Sequence, residues 1–278
     1  MVKRLKTIKK ERKEATMLRK FLASVFLMFF PAVTSFAAHP LVTDDTGTQG
    51  KGKFQLEVNS EFTYEKETEA GVTKKETGTQ VATALSYGVT DNVDVVLGMP
   101  NQWKKSSEDS AVTSDASGVS DMSIEVKWRF FDKEGLSFDL KPGITLPTGD
   151  ENKGLGNGRA SYSLNLITTK KVEPWAFHLN LKNTVNEYKL QADKDAKRRD
   201  IWHVSLASEV ELIKNLRVVG NVGVERNQGK TKRTHPAFIL GGVIYSIAEN
   251  FDIDLGIKRG LNKPAIDYSI LAGITLRF

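Results

Sequence analysis

Histidine and cysteine are the side chains that most often act in catalysis or bind metals. This 278-residue sequence has four histidines and no cysteine. The histidines are His39, His178, His203 and His235. None has a second ligand at the short spacing that zinc sites and His-Glu-x-x-His motifs require. No nucleophile can be grouped with His178 or His203 into a catalytic triad either. We therefore predict that the protein is not an enzyme, that it has no metal site and that it needs no cofactor.

The remaining candidate chemistry lies in charged residues that occupy every second position of apolar segments. In residues 251–258, for example, Asp252, Asp254 and Lys258 alternate with phenylalanine, isoleucine and leucine. A β-strand directs successive side chains to opposite faces, so each such segment is a ribbon with one polar and one apolar face. The charges therefore share one surface, and the fold decides whether that surface faces solvent or an interior.

Twelve such segments of about 10–13 residues follow one another between residue 54 and Phe278, which is the length that a tilted membrane strand needs. Their connections alternate between short turns and longer polar loops, the latter near residues 65–77, 104–117, 148–158, 188–199, 227–234 and 260–265. We predict an all-β fold, a 12-stranded antiparallel transmembrane β-barrel of the outer membrane over residues 54–278, with both ends on the periplasmic, short-turn side. Residues 38–53 would be a periplasmic N-terminal segment.

A secreted β-sandwich or jelly roll would also hide the apolar faces, because it packs them into a core. Two features favour the barrel: an even number of strands, which closes cleanly, and aromatic residues near strand ends, which are typical of the two interfacial girdles of a membrane barrel. These aromatic residues are Tyr64, Tyr87, Trp128, Trp175, Trp202, Tyr245, Phe251 and Phe278.

In such a barrel the polar faces line the lumen. The predicted lumen-lining residues, which form a candidate pore, are Glu57, Glu61, Asp94, Glu125, Lys127, Arg129, Asp139, Lys141, His178, Lys182, His203, Glu209, Arg217, Glu225, Asp252, Asp254, Lys258 and Arg277. Twelve strands lie between the filled 8-stranded and the open 16-stranded barrels, so the lumen should be narrow. If it conducts, its acidic excess predicts a weak preference for cations or neutral solutes.

Residues 1–37 have the pattern of a secretory signal peptide. Basic residues precede an apolar run over residues 21–30, and a small-residue cleavage site ends at Ala37. The long basic prefix suggests that translation starts at Met17. The leader holds nine of the 40 basic residues and two of the 34 acidic ones, so the rest of the chain, with 31 and 32, is nearly neutral. This balance gives no support for nucleic-acid binding.

The last strand ends in the aromatic residue Phe278, as do strands that the barrel assembly machinery recognises, so we expect this residue to serve assembly. Basic residues also cluster in two of the long loops, over residues 189–199 and 230–233. They are either a solvated surface or a contact with lipopolysaccharide phosphates. The expected partners are therefore outer-membrane lipids, lipopolysaccharide, the assembly machinery and a small solute.

Several segments resemble motifs of the bacterial outer-membrane family that is named for the meta-pathway of phenol degradation. They are Leu146–Asp150 with the glycine-rich residues 153–156, Tyr87–Asp94, Gly118–Asp121 with residues 127–129, and His39–Asp45. The resemblance covers most of the chain after the leader and implies a barrel of a family whose members are called transporters. It does not carry over a substrate.

Two of these motifs also have purely structural interpretations. The glycine-rich loop is either a turn or a segment that folds inward and narrows the pore. Asp44 and Asp45 either anchor the first strand or form a small plug. The function that we predict is passive, selective passage of a small solute, with aromatic compounds among the candidates. One alternative is a structural or sensory barrel without transport, whose lumen is plugged by its own side chains and by residues 38–53. A less favoured alternative is an outer-membrane lipid hydrolase.

Overall fold

A computed structural model describes residues 39–69 and 71–278, so the predicted signal peptide and the start at Met17 lie outside the described residues. The described part contains a 3-10 helix, Glu151–Lys153, and a short α-helix, α1, Gln191–Ala196. Its strands are β1 Phe54–Glu69, β2 Val72–Thr90, β3 Val93–Glu108, β4 Ala111–Val119, β5 Met122–Lys133, β6 Leu136–Leu146, β7 Ser161–Val172, β8 Trp175–Val185, β9 Asp200–Ile213, β10 Leu216–Glu225, β11 Ala237–Ala248, β12 Phe251–Gly260 and β13 Tyr268–Arg277. Across these same ranges, we find no helix that is long and apolar enough to span a bilayer.

The strands form one closed antiparallel barrel, because β13 pairs with β1 as well as with β12. Strands β4 and β5 both pair with β3, but over its residues 101–108 and 93–98 respectively, so they are two parts of one wall strand. The wall therefore has 12 strands, as predicted. The backbone N–H groups of Phe54 and Phe278 donate to each other's carbonyl oxygens at 2.7 and 3.0 Å and seal the first and last strands together.

Five two-residue connections lie at one end of the barrel, which we call the short-turn end; we call the other the loop end. One of them, Glu134–Gly135, has positive φ at both residues, as a tight type I′ hairpin requires. At the loop end, two of the six predicted loops are wrong. Residues 65–77 and 104–117 continue the strands into long hairpins, because their polar side chains suit a solvated sheet on both faces.

The apolar faces of the strands point outward. Ile124, Val126 and Ile274, which a sandwich would pack in its core, are each about 40% exposed, as are apolar residues on the other wall strands. An apolar surface of this extent marks a membrane-facing protein, since soluble monomers expose only small apolar patches. The buried positions are mostly polar and face the interior. The barrel and not the sandwich is therefore the observed architecture.

The glycine-rich loop after β6 folds back onto the junction between β4 and β5. The Asp121 carboxylate accepts hydrogen bonds from the backbone N–H groups of Gly149 at 2.9 Å and Asn157 at 2.8 Å. The Thr148 hydroxyl donates to the Ser120 carbonyl at 3.0 Å. Two of the motifs found in the sequence thus bind each other and fix this loop on the wall.

Candidate functional site in the barrel lumen

Residues 39–49, which we call the plug, lie inside the barrel and follow its inner wall. His39 Nδ1 lies 2.6 Å from Asp254 Oδ1 on β12, and at the other end the Gln49 N–H donates to Asp94 on β3 at 3.0 Å. Asp44 and Asp45 contact β5, β6 and β8 instead of anchoring β1. Of the two alternatives for these aspartates, the structure therefore supports the plug. The segment predicted to stay in the periplasm enters the lumen over these residues.

Two asparagines of the wall hold the plug backbone. The Asn180 side chain on β8 accepts from the Asp44 N–H at 2.9 Å and donates to the Asp44 carbonyl at 2.7 Å. Asn221 on β10 accepts from the Val42 N–H at 2.8 Å and donates to the Thr43 hydroxyl at 2.7 Å. Because a buried backbone amide is costly without a partner, these side chains replace the water that the plug loses in the lumen.

Charges hold the middle of the plug. The two carboxylate oxygens of Asp44 each lie 3.0 Å from an ammonium group, that of Lys127 on β5 and that of Lys141 on β6. Lys127 also lies 3.4 Å from Asp45, and Lys141 lies 3.0 Å from Glu125. Removing one member of this enclosed group would leave an uncompensated buried charge, which is costly. The carboxylates of the plug and the two lysines therefore stabilise each other's position.

The first residues of the plug sit on glycines of the wall. A Cβ atom at Gly256 would lie 2.7 Å from Pro40 Cβ, and one at Gly273 would lie 2.7 Å from His39 Nδ1. Glycine at these two positions leaves room for the Pro40 ring and the His39 imidazole of the plug. Beside this seat, Leu41 packs against the buried Val219 and Ile244.

A second charged cluster lies under the plug. Arg217 contacts Asp252 at 3.1 Å and Glu209 at 3.3 Å, and Arg277 contacts Asp252 at 2.9 Å. His178 is fully buried beside it, with its Nδ1 3.0 Å from the Thr169 hydroxyl. This histidine is thus a packed, hydrogen-bonded group of the interior.

All of the predicted lumen residues lie on the interior face, at different depths. The buried ones are Asp94, Lys127, Asp139, His178, Glu209, Arg217, Asp252 and Asp254, and the half-buried ones are Glu57, Glu61, Glu125, Arg129, Lys141, Lys182, His203, Glu225, Lys258 and Arg277. Near the loop end, Lys258 pairs with Glu61 at 2.6 Å and His203 lies 3.6 Å from Glu225. The Asp139 carboxylate has no hydrogen-bond partner among the described residues.

Two cavities remain beside the plug. A polar chamber of about 530 Å³ lies between the plug and the wall, and it is lined by Gln55, Glu57 and Asn59 on β1, Ser86 on β2, Asp94 on β3 and Glu125 on β5. An amphipathic vestibule of about 420 Å³ lies nearer the loop end, and it is lined by Pro236, Phe238, Lys258, Pro264, Ala265 and Ile266. Val42, His203 and Glu225 line both spaces, so the two adjoin.

The vestibule has an aromatic floor that the sequence did not indicate. The Phe238 ring lies over Gly223 of the neighbouring strand, where a Cβ atom would be 2.5 Å from the ring. The imidazole of His203 is nearly parallel to this ring at 6.3 Å, and Lys258 Nζ lies 5.8 Å from its centroid. A flat apolar group can therefore lie on Phe238 while a polar substituent reaches His203 or Lys258.

In residues 39–69 and 71–278, no three His, Asp or Glu side chains are placed so that they could hold a metal ion together. Asn180, Asn221 and Phe238 are the site residues that sequence reasoning missed. A plug ahead of the first strand was among its alternatives, and the signal for it was the pair of adjacent acidic residues Asp44 and Asp45.

A closed 12-stranded barrel with an apolar outer belt and a polar, partly filled lumen is an outer-membrane β-barrel. The family described as "Putative MetA-pathway of phenol degradation" matches residues 40–278. The chain therefore belongs to this family. No curated protein matches the sequence.

Solved structures share the fold at low sequence identity. An outer membrane channel from Pseudomonas putida F1 is similar with a TM-score of 0.66 and 14% identity, over 84% of this chain and 98% of that one. The translocator domain of the autotransporter NalP from Neisseria meningitidis is similar with a TM-score of 0.53 and 12% identity, over 82% of this chain and 89% of that one. The KdgM porin in complex with disordered oligogalacturonate is similar with a TM-score of 0.52 and 7% identity, over 80% of this chain and 99% of that one.

Proposed function

We propose that this protein is an outer-membrane channel for the passive passage of a small amphipathic solute, with aromatic compounds as the first class to test. The observation that carries the proposal is the pair of adjoining cavities: an amphipathic vestibule over Phe238 followed by a polar chamber beside the plug. A solute with a flat apolar ring and a polar group finds a complementary surface in each. Passage needs neither catalysis nor a cofactor.

The family membership and the names of the similar structures support this proposal. The family is described by phenol degradation, the structure from Pseudomonas putida F1 is called an outer membrane channel, and the KdgM porin holds an oligogalacturonate. Each of these statements belongs to those proteins. For this chain they agree with the polar lumen in favouring transport over a purely structural barrel.

The plug gives the channel a part that can move. Residues 39–49 form no strand with the wall and are held by side chains, so they can leave without breaking the barrel's hydrogen-bond ladder. Individual side-chain hydrogen bonds contribute roughly 1 kcal/mol each. We propose that the chamber widens when the plug shifts, and that the resting state in the structure is the narrow one.

Conductance of the purified protein in planar bilayers tests the function. We expect small single-channel steps with a weak cation preference, because carboxylates outnumber cationic groups along the lumen. Hydroxylated or carboxylated aromatic compounds should block these steps, whereas an aliphatic polyol of similar size should not. No conductance, together with no uptake defect in a deletion strain, would contradict the proposal.

Export and assembly complete the proposed role. The signal peptide would be cleaved after Ala37, and Phe278, which stacks on Phe54 at 5.6 Å and leaves 63% of its surface exposed, would be the residue read by the assembly machinery. Lipopolysaccharide would surround the loop end. Of the basic loop residues that could contact it, Lys189 pairs with Glu151 at 2.5 Å and Lys197 with Asp193 at 2.8 Å.

A further inference from the structure

Four cationic side chains form a row on the outer surface of the barrel near the loop end. They are Lys66 on β1, Lys75 on β2, Lys105 on β3 and Arg259 on β12, and we call them the outer cation row. All four are exposed. Each continues the outward-facing alternation of its strand: Lys66 follows the exposed Phe62, Lys105 follows the exposed Trp103, and Arg259 follows the exposed Ile257.

The row lies at the edge of an aromatic girdle. The rings of Tyr64 and Tyr268 stack with their centroids 5.1 Å apart, and Lys75 Nζ lies 5.4 Å from the Tyr64 centroid. Arg259 is the cross-strand partner of Tyr268. Tyrosines at such positions mark the boundary between the hydrocarbon and the head groups of a bilayer. The cations are therefore at the depth of the lipid head groups.

The placement of two of these cations is unfavourable in the isolated protein. Lys66 and Lys75 are direct cross-strand partners on the same face. Like charges at opposite positions destabilise a strand pair, so an arrangement of this kind calls for an anion from outside. Within the described residues, no carboxylate forms an ion pair with any of the four cations. Two acidic residues lie close to the row. Asp115 is the cross-strand partner of Lys105, and the Asp267 side chain accepts from the Lys66 N–H, pairs with Lys263 and interacts electrostatically with Arg259.

The basic loop residues differ from the row in this respect. Arg199 pairs with Glu187, and Arg198 donates to the carbonyl oxygens of Asn227 and Lys230 within the loops. Their cationic groups are therefore largely used to fold the loops. The row differs because its four cations lie beside the aromatic girdle and form no ion pair with a carboxylate of the described residues.

We propose that the outer cation row binds the phosphate groups of a phosphorylated glycolipid of the outer leaflet, of the lipid A type. Phosphate oxygens would lie between Lys66 and Lys75, with Arg259 and Lys105 on the two sides, and the acyl chains would pack against the apolar belt below Tyr64 and Tyr268. The inference rests on the proposed orientation, with the loop end outside. It does not depend on whether the lumen conducts.

Binding of lipid A to the purified protein in detergent tests this. The probes are bis-phosphorylated lipid A, dephosphorylated lipid A and inorganic phosphate. We expect the variant K66Q/K75Q to bind the phosphorylated lipid about 30-fold more weakly, since each of the two charges near a phosphate-bearing surface contributes roughly 1 kcal/mol. The variant K66R/K75R should retain binding. As a matched control, K133Q/K214Q removes two lysines at the short-turn end and should leave the affinity unchanged.

Several outcomes would overturn the proposal. Equal affinity of K66Q/K75Q and the control variant would show that the row does not bind the lipid. Equal binding of phosphorylated and dephosphorylated lipid A would show that the acyl chains alone are recognised. Inorganic phosphate that binds as tightly as lipid A would indicate a general anion site. Heat-modified electrophoretic mobility confirms that each variant is folded, and unchanged conductance of K66Q/K75Q separates this result from the test of the channel.

Discussion

The side-chain amide of Asn180 forms two hydrogen bonds with the backbone of Asp44, one to its N–H group at 2.9 Å and one to its carbonyl at 2.7 Å. A wall strand thus binds the plug as a neighbouring β-strand would, but through one side chain. Such a contact can be broken and formed again without disturbing the barrel. This relationship makes residues 39–49 a separable part of the molecule.

Replacing the two asparagines that hold the plug should release it. In N180L/N221L the plug backbone loses several buried hydrogen bonds of roughly 1 kcal/mol each, so the open population should rise by more than tenfold. Single-channel recording should show longer or larger openings than in the wild type. The control N183L changes an exposed asparagine of the same strand β8 and should conduct as the wild type does. Identical recordings for both variants would contradict the role of the asparagines.

Because Phe238 forms the floor of the vestibule, adding one methyl group at Gly223 should weaken block by aromatic compounds. The Cβ atom in G223A would lie 2.5 Å from the Phe238 ring and must displace it. We expect block by aromatic compounds to weaken by roughly 2- to 12-fold, the range of an aromatic contact. In G220A the new Cβ meets only the Ser208 hydroxyl at 3.8 Å, so block should not change. Equal block in both variants would place aromatic solutes elsewhere in the lumen.

The Asp44 carboxylate should influence ion selectivity. It bridges Lys127 and Lys141, so D44N leaves two ammonium groups without this partner beside the chamber. The reversal potential in a salt gradient should then shift toward anion preference, and the plug should be less firmly held. As a control, the substitution D193N removes an acidic residue of α1, which lies in a connection at the loop end. A reversal potential that shifts in D193N but stays at the wild-type value in D44N would show that the plug does not set selectivity.

Phe278 is expected to act in assembly rather than transport. F278A removes the ring that stacks on Phe54, so outer-membrane insertion should fall severalfold and periplasmic aggregate should accumulate. Quantification of the folded barrel in outer-membrane fractions measures this. F62A removes another exposed aromatic side chain of the apolar belt and should insert normally. Insertion of F278A at the wild-type level would contradict the assembly role.

Alternation of polar and apolar residues was sufficient to predict the barrel, its strand number and the residues on its interior face. The physical reason is that a membrane strand has one face toward lipid and one face toward the lumen, so its apolar and polar residues alternate with a period of two. The long hairpins were missed because residues 65–77 and 104–117 lie beyond the apolar belt. Neither face of the strands contacts hydrocarbon there, so the apolar period fades.

The plug and the vestibule could not be predicted in the same way. Residues 39–49 have no period, and their partners lie far along the chain: Asp44 contacts Lys127, Lys141 and Asn180. On the inward face of β11, Phe238 is followed by the buried Leu240 and Ile244, so this strand has apolar residues on both faces and gave only a weak signal. Its role depends on Gly223 across the strand pair, a contact that the register of β10 and β11 creates.

Locking the plug tests the central claim most directly. The Thr43 and Ser205 hydroxyl oxygens lie 2.8 Å apart, and the chain has no cysteine of its own, so T43C/S205C can join the plug to β9 by one reducible bond. The single variants T43C and S205C are the controls. If the plug gates passage, oxidised T43C/S205C should lose most of its conductance and regain it on reduction, while both single variants conduct throughout. Equal conductance of the oxidised and reduced double variant would contradict the account.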